Sequence, residues 1–479
     1  MATTELKNKF TRVNKWLWEL PEKNFPFMRV PARLYASEKL FKETEERALK
    51  QLVNIASLPG IVRHALAMPD IHSGYGPPIG GVGAVRAKDG VISPGFVGFD
   101  ENCGVRLLTT QLKFKEVEGH IESVAEEMHK AIPSGVGKGR SKSFSRAEVN
   151  RILNEGPRFL VEQGFGKKRD IERCESEGKL PADASRVSEK AKKRGADQVG
   201  TLGSGNHFLE IQRVKNIFDR EAAEIFGLSE DGVVIMIHTG SRGLGHQNCK
   251  DFLNKAKKAV RKNNINLPDA QLNCFPFKSE EGQDFFLALG GACNYSFANR
   301  QMITDTVRRI WKRYFSDEPE LIYDVAHNTA KLENHEIDGK EIDLVVHRKG
   351  STRAFPENHM EIPEAYRSVG QPVIMPGSMG ESSYILRGVP DGKTSFYSTG
   401  HGAGRAMSRT GARKNVDGRE LLQRLRKKGI VVKCSSEKGV AEEAPEAYKD
   451  ISEVVEVVDG AGLCKKVAEV EPLAVIKGE

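Results

Sequence analysis

Hydrophobic positions along the chain follow two rhythms. From Ser37 to Ala56, apolar residues fall at Leu40, Phe41, Ala48, Leu49, Leu52 and Val53. That spacing predicts one amphipathic helix, capped by Ser37 and stopped by Pro59-Gly60. Residues 115–200 are mostly polar and helical in pattern, with a loop at Pro133–Lys142. Short β-branched, apolar runs at 231–238, 321–326, 342–347 and 371–375 predict buried strands. Between the first two, helical stretches at 246–263 and 292–315 predict a helical insertion, at about 246–315, on a sheet-based core. Strands separated by long helical pieces argue for α/β or mixed α+β architecture. After Ala441 the chain is acidic and then apolar from Val454 to Ile476, so the tail is expected to pack back on the body.

The 479 residues would suit about three domains, but a single large domain, 1–479, with insertions is equally allowed. The longest apolar runs, such as Val233–Ile237, are far shorter than the ~20 residues of a membrane helix. The segment Met1–Phe10 is polar and lacks a signal-peptide core. Seven cysteines are dispersed without a CxxC pair, which argues for the reducing cytoplasm rather than a disulfide framework. Net charge is +8. Basic clusters at Lys138–Lys142, Lys167–Arg169, Lys190–Arg194 and Arg424–Lys428 suit a polyanionic partner, although each could equally be a solvated helix face.

Several apolar runs end on chemically active residues. Val233–Ile237 leads into His238-Thr239-Gly240-Ser241-Arg242-Gly243, Leu321–Ala326 into His327-Asn328, and Pro372–Met375 into Pro376-Gly377-Ser378-Met379-Gly380. Loops at strand ends are the usual seat of function. Phe96–Phe99 leads into Asp100-Glu101-Asn102-Cys103-Gly104, and Gly203-Ser204-Gly205 precedes Asn206-His207. An aspartate and a cysteine three apart on a turn can face one metal. Asp, Cys and three His together offer mixed O, S and N ligation, suited to manganese or zinc rather than calcium. A thiolate can bridge two ions, and paired ions bind and activate phosphates.

Glycine-rich loops at Gly203–Gly205, Gly377–Gly380 and Gly400–Arg405 could nest anions or could be tight turns. Gly388–Thr394 is one residue short of a P-loop, and Gly203–Gly205 is only a fragment of a dinucleotide fingerprint. No Lys-x-Asp-Gly occurs. Any covalent nucleotide activation must therefore use a residue other than the lysine of that motif.

Six segments, in order, resemble the RtcB family of RNA ligases. They are Met68-Pro69-Asp70-Ile71-His72-Ser73-Gly74-Tyr75-Gly76, Gly98–Gly104, Gly203–Phe208, His238–Gly243, His347-Arg348-Lys349-Gly350 and Gly400–Arg405. The match runs from about Met68 to Lys477-Gly478. The resemblance implies a family-specific fold of mixed sheets around a deep pocket for two manganese ions and a guanine nucleotide. It implies GTP-dependent joining of RNA 2′,3′-cyclic phosphate or 3′-phosphate ends to 5′-hydroxyl ends, in tRNA splicing and RNA repair. By motif, Asp100, Cys103 and His207 match the ligands of one ion. Cys103, His238 and His327 match those of the other, and His401 matches the histidine that becomes guanylylated. Guanylate contacts fall on Asn206, His207, Phe208, Leu209, Glu210, His327, Asn328, Pro376, Gly377, Ser378, Met379, Ser383, His401, Gly402, Ala403, Gly404 and Lys477. Archease is a partner of this family.

Arg242, Lys349 and Arg409 are candidates for holding RNA phosphates, because Arg and Lys dominate backbone contacts; each could instead form a surface salt bridge. Two rival readings use the same residues differently. One is a two-metal phosphodiesterase or cyclic phosphatase without GTP use. The other is a basic RNA-binding protein with a structural metal.

Overall fold

The computed structural model describes residues 6–434 and 436–478. The first five residues of the polar segment Met1–Phe10, together with Glu479, lie outside the described residues. Two large sheets organise the chain. A seven-stranded sheet runs in the spatial order Thr11–Asn14, Leu17–Leu20, Ala32–Tyr35, Ala65–His72, Ile79–Arg86, Lys340–Lys349, Asn328–Ile337. The second runs Glu320–Ala326, Gly104–Lys113, Gly232–Thr239, Phe208–Ile217, Cys464–Lys477, Ser383–Gly388, Pro372–Met375, with Val431–Cys434 added in parallel to Cys464–Lys477. All four expected strands are present, and the α/β class holds.

The expected helix at 37–56 is two helices, Glu38–Glu43 and Glu46–Ile55. Ser37 does cap the first, accepting from the Leu40 amide. The break falls at Thr44, whose backbone is extended and whose hydroxyl donates to the Leu40 carbonyl at 2.7 Å. A local side-chain bond of this kind competes with the helical ladder.

The expected insertion consists of Arg242–Lys262 and a 35-residue helix, Glu280–Tyr314. Ser279 caps the long helix by accepting from Gly282, with Glu280 and Glu281 in its first turn and Lys312 and Arg313 in its last, all complementing the helix dipole. It is no surface appendage. Ala288–Thr304 is buried without interruption, and Gly290 passes so close to the Pro181 carbonyl that a Cβ would lie 1.9 Å from it. The tail packs back as a helix, Ile451–Gly460, followed by the 14-residue strand Cys464–Lys477 inside the second sheet.

Strand register gathers the motif residues at one end of that second sheet. Gly104 pairs with Ala326 on one side and Thr239 on the other. His238 pairs with Phe208, and Phe208 pairs with Lys477. Cys103, His207 and His327 each sit one residue beyond a strand end in this row. His327 is also the corner at which the chain leaves the second sheet and enters the first as Asn328–Ile337. The site therefore lies at the junction of the two sheets. No helix among the described residues is long and apolar enough to cross a membrane.

Candidate active site

After the short helix Pro94–Val97 the chain turns sharply, with Gly98 at φ +97° and Asn102 at φ +52°. Within this turn the Cys103 amide donates to the Asp100 carbonyl, and the Asn102 amide donates to the Asn328 carbonyl. Asp100 and Cys103 consequently face the same space. The Cys103 Sγ lies 3.4 Å from His207 Nε2 and 3.3 Å from His238 Nε2. Asp100 Oδ2 is 2.9 Å from His207 Nε2, and His238 Nε2 is 3.2 Å from His327 Nε2. Two sets of three result, Asp100–Cys103–His207 and Cys103–His238–His327, sharing the sulfur. The structure thus brings together all five expected ligands.

The chemistry of these donors fits divalent cations. His207 Nδ1 faces the Leu202 carbonyl at 3.0 Å, which fixes the proton there and leaves the Nε2 lone pair inward. Burial drives the His238 and His327 pKa values well down, so both rings are neutral donors. Their Nε2 atoms approach each other and a sulfur, while their Nδ1 atoms have no hydrogen-bond partner. Burial pushes the Cys103 thiol well above its ordinary value, so it ionises only with a cation beside it. Asp100 is held well below the usual carboxylate range: burial opposes this, but His207 and Arg242 outweigh it. Ser241 steadies its other oxygen through both its amide and its hydroxyl.

Across the cavity stands His401, one residue after the strand Ser398–Gly400. Asp70 Oδ2 accepts both the His401 amide, at 2.8 Å, and Nδ1, at 2.6 Å. Asp70 is fully buried; burial raises its pKa, but His401 pulls it below the ordinary value. This pairing fixes one tautomer and turns Nε2 toward the cavity. Gly404 must be glycine here: its φ is +73°, and a Cβ would lie 2.2 Å from the Asp70 carbonyl. Lys449 donates to the carbonyls on both sides of Asp70, those of Pro69 and Ile71, at 3.0 and 2.5 Å. Asp70 and Lys449 carried no role from sequence. Asp70 sits in a motif, but nothing in its spacing announces a partner 331 positions away.

The cavity between these groups encloses about 980 Å³ including its open mouth. Its walls carry Asn206, Phe208, Glu210, His327, Asn328, Pro376–Met379, Gly402–Gly404 and Lys477, all among the residues that the family resemblance implies for nucleotide contacts. Leu209 points away, because alternate strand residues face opposite sides; it packs in the core behind the sheet. Ser383 is buried beneath the wall and accepts from the Gly377 amide and from Gln212, so it shapes the Pro376–Met379 turn. Burial raises the Glu210 carboxyl to about 7. Lys477 donates to the Gly205 carbonyl, and burial lowers its pKa. At the mouth, Glu443 is surrounded by Arg405, Arg409, Lys477 and Tyr448, a cluster that sequence reasoning missed apart from Lys477 and Arg409.

The three cations expected on the RNA path are placed differently from one another. Arg409 is half-exposed at the cavity mouth, over Gly205. Arg242 is largely enclosed, donating to Thr201 and lying over Gly203. Lys349 is 3% exposed, and its ammonium donates to the Tyr75 and Gly95 carbonyls, so no cation is offered at the surface there. Burial lowers its pKa to about 7.

A carboxylate-backed imidazole facing two convergent ligand sets is the equipment of an enzyme that works on charged phosphate groups. Comparison with known proteins gives the particular kind. A family model described as tRNA-splicing ligase RtcB matches residues 51–478, and the chain belongs to this family. It is 48% identical over 480 residues to the tRNA-splicing ligase RtcB of Methanococcus maripaludis, covering 99% of this chain and 100% of the relative. It is 49% identical over 476 residues to the protein of the same name from Thermococcus kodakarensis, covering 98% of each. It is 48% identical over 432 residues to the RNA-splicing ligase RtcB of Mycobacterium bovis, covering 89% of this chain and 100% of the relative.

Proposed function

We propose that this chain is a GTP-dependent RNA ligase that joins 2′,3′-cyclic phosphate or 3′-phosphate ends to 5′-hydroxyl ends through guanylylated His401. The observation that carries the reading is the Asp70–His401 pair facing the two ligand sets across one cavity. His401 Nε2 attacks the α-phosphorus of GTP, pyrophosphate leaves, and a phosphoramidate remains. Asp70 offsets the positive charge that grows on the ring during attack. The guanylate then passes to an RNA 3′-phosphate, making it a good electrophile. The 5′-hydroxyl attacks in line and GMP departs. A cyclic phosphate is hydrolysed to the 3′-phosphate beforehand. Two manganese ions, held by Asp100–Cys103–His207 and Cys103–His238–His327, supply neutralisation of phosphate charge when bound. Glu210, an acceptor deep in the wall beside Phe208, suits the N–H edge of guanine better than adenine, whose ring nitrogen N1 is itself an acceptor. The RNAs in this reading are tRNA halves or broken RNA, archease is a partner, and the compartment is the cytoplasm, in keeping with seven cysteines dispersed without a CxxC pair. The deciding experiment mixes the pure protein with manganese and labelled GTP. An acid-labile, base-stable label retained on the protein supports the ligase; its absence leaves a metal-dependent phosphodiesterase or an RNA-binding protein.

Two predictions arise directly. Cys103→Ser is expected to weaken both ions together, because one sulfur serves both sets. His207→Ala should weaken mainly one ion and His238→Ala mainly the other, as counted by elemental analysis. Loss of a single ion from Cys103→Ser would argue against a shared ligand. Arg409→Ala is expected to lower RNA affinity for all sequences alike and to reduce the salt slope of log affinity by about one unit. His401 labelling should survive it. An unchanged slope with lost labelling would assign Arg409 to the nucleotide instead.

A further inference from the structure

Polar side chains are rare in the fully buried middle of a long helix, because each must find a partner to offset desolvation. Glu280–Tyr314 nevertheless carries Asn294, Ser296, Asn299, Arg300, Gln301 and Thr304 there, all at 0% exposure. Three of them, Ser296, Asn299 and Arg300, make bonds that converge on the loops bearing the five proposed ligands.

Arg300 spends its guanidinium on three separate chain segments. Nη1 donates to the Asn102 carbonyl at 3.1 Å, between Asp100 and Cys103, and to the Thr239 carbonyl at 2.8 Å, next to His238. Nη2 reaches the Asn102 side chain at 3.3 Å, and Nε donates to Asp324 at 2.8 Å, on the strand that leads into His327. Ser296, one turn back, donates to the same Asn102 carbonyl. Asn299 holds the remaining loop. Its oxygen accepts the Gly200 and Thr201 amides, and its nitrogen donates to the Thr201 and Gly240 carbonyls. Thr201 precedes Leu202, whose carbonyl orients His207, and Gly240 precedes Ser241, whose amide steadies Asp100. Gly104 fits the same arrangement: a Cβ there would lie 3.1 Å from the Arg300 guanidinium carbon.

We propose that Asn299 and Arg300 are positioning residues that hold the four ligand-bearing loops in register, so that one helix sets the geometry of both metal sites. Neither touches a ligand side chain in this role. Arg300 fixes the backbone beside Cys103 and His238 and holds the Asp324 side chain three residues before His327, and so serves both sets. Asn299 fixes the backbone that aims His207 and Asp100, and so serves mainly one. A planar guanidinium can span three segments at once, which a lysine ammonium cannot.

The inference rests on reading the two ligand sets as metal sites, and the test separates the two claims. The full-length protein is titrated with cobalt(II) alone, reading the visible and sulfur-to-metal absorption bands and the bound metal by dialysis. Arg300→Lys is expected to lower cobalt affinity at both sets about ten- to hundredfold, the usual range for partners that orient metal ligands. Gln301→Met is the control. Gln301 is equally buried on the same helix but bonds to Arg106, Asp170 and Phe165 instead. It is expected to lower the melting temperature while keeping cobalt affinity within about twofold. Asn299→Ser is expected to weaken the Asp100–Cys103–His207 set more than the other. Native cobalt affinity in folded Arg300→Lys, or an equal loss in Gln301→Met, would overturn the proposal. Should Arg300→Lys fail to fold, Asn299→Ser decides: no loss, or equal loss at both sets, overturns it. A native protein that binds no cobalt would overturn the metal reading itself.

Discussion

His401→Ala is expected to abolish labelling of the protein by GTP while leaving metal content nearly intact. The imidazole is the group on the cavity wall whose Nδ1 is committed to a buried carboxylate, with the opposite nitrogen available for attack. Removing a covalent nucleophile eliminates the intermediate outright, so the labelling signal should fall to background. The two proposed ligand sets are made of Asp100, Cys103, His207, His238 and His327, and His401 belongs to neither. His401 ring atoms do approach His327, at 5.0 Å between centroids, so a small change in the second set's affinity is tolerable. Labelling that persists on another residue would sink the assignment, and so would loss of both metals.

Asp70→Asn is expected to slow guanylylation by about 10²- to 10⁴-fold, on the precedent of carboxylates that orient catalytic histidines. Asn matches Asp in shape, so the Pro69 and Ile71 carbonyls can remain on Lys449. If the amide oxygen takes the place of Oδ2, the tautomer is kept but the negative charge opposing the charging ring is lost. If the amide nitrogen takes that place, the proton moves to Nε2 and the nucleophile is blocked. Either way the rate falls, while cobalt binding should stay near native because Asp70 is no ligand. Rapid-quench measurement of label incorporation reads the effect. A rate within threefold of native would mean that Asp70 merely fills space.

The ligands were legible because chemistry-bearing residues stood at the ends of apolar runs, and register then drew those ends into one row. The role proposed for His401 came from the family resemblance of the Gly400–Arg405 motif, not from its glycines alone. The partners of these groups were not legible, since each acts across a long stretch of chain. Asp70 and His401 are joined only by folding, and so are Lys449 and the Pro69–Ile71 segment. Asn299 and Arg300 were hidden for a different reason: polar residues in a helical pattern ordinarily mark its solvent face, so the stretch read as an insertion. Lys349 misled for the same reason. A lysine beside a glycine looks like a free surface cation, but this one is satisfied by two backbone carbonyls. The break at Thr44 is a single extended residue beside a hydroxyl bond, below the resolution of any periodicity.

The strand Cys464–Lys477 lies between Phe208–Ile217 and Ser383–Gly388. Until it is in place, the second sheet exists as two unjoined halves. During synthesis the chain therefore carries Asp100, Cys103, His207, His238, His327 and His401 long before it carries the strand that unites their sheet. The pairing of residue 208 with residue 477 is also among the most distant in the sequence, and closures of that span come late and slowly in folding. A chain clipped before Cys464 would hold Asp70, His401 and the five residues of the two sets, and would still lack the strand that joins the sheet.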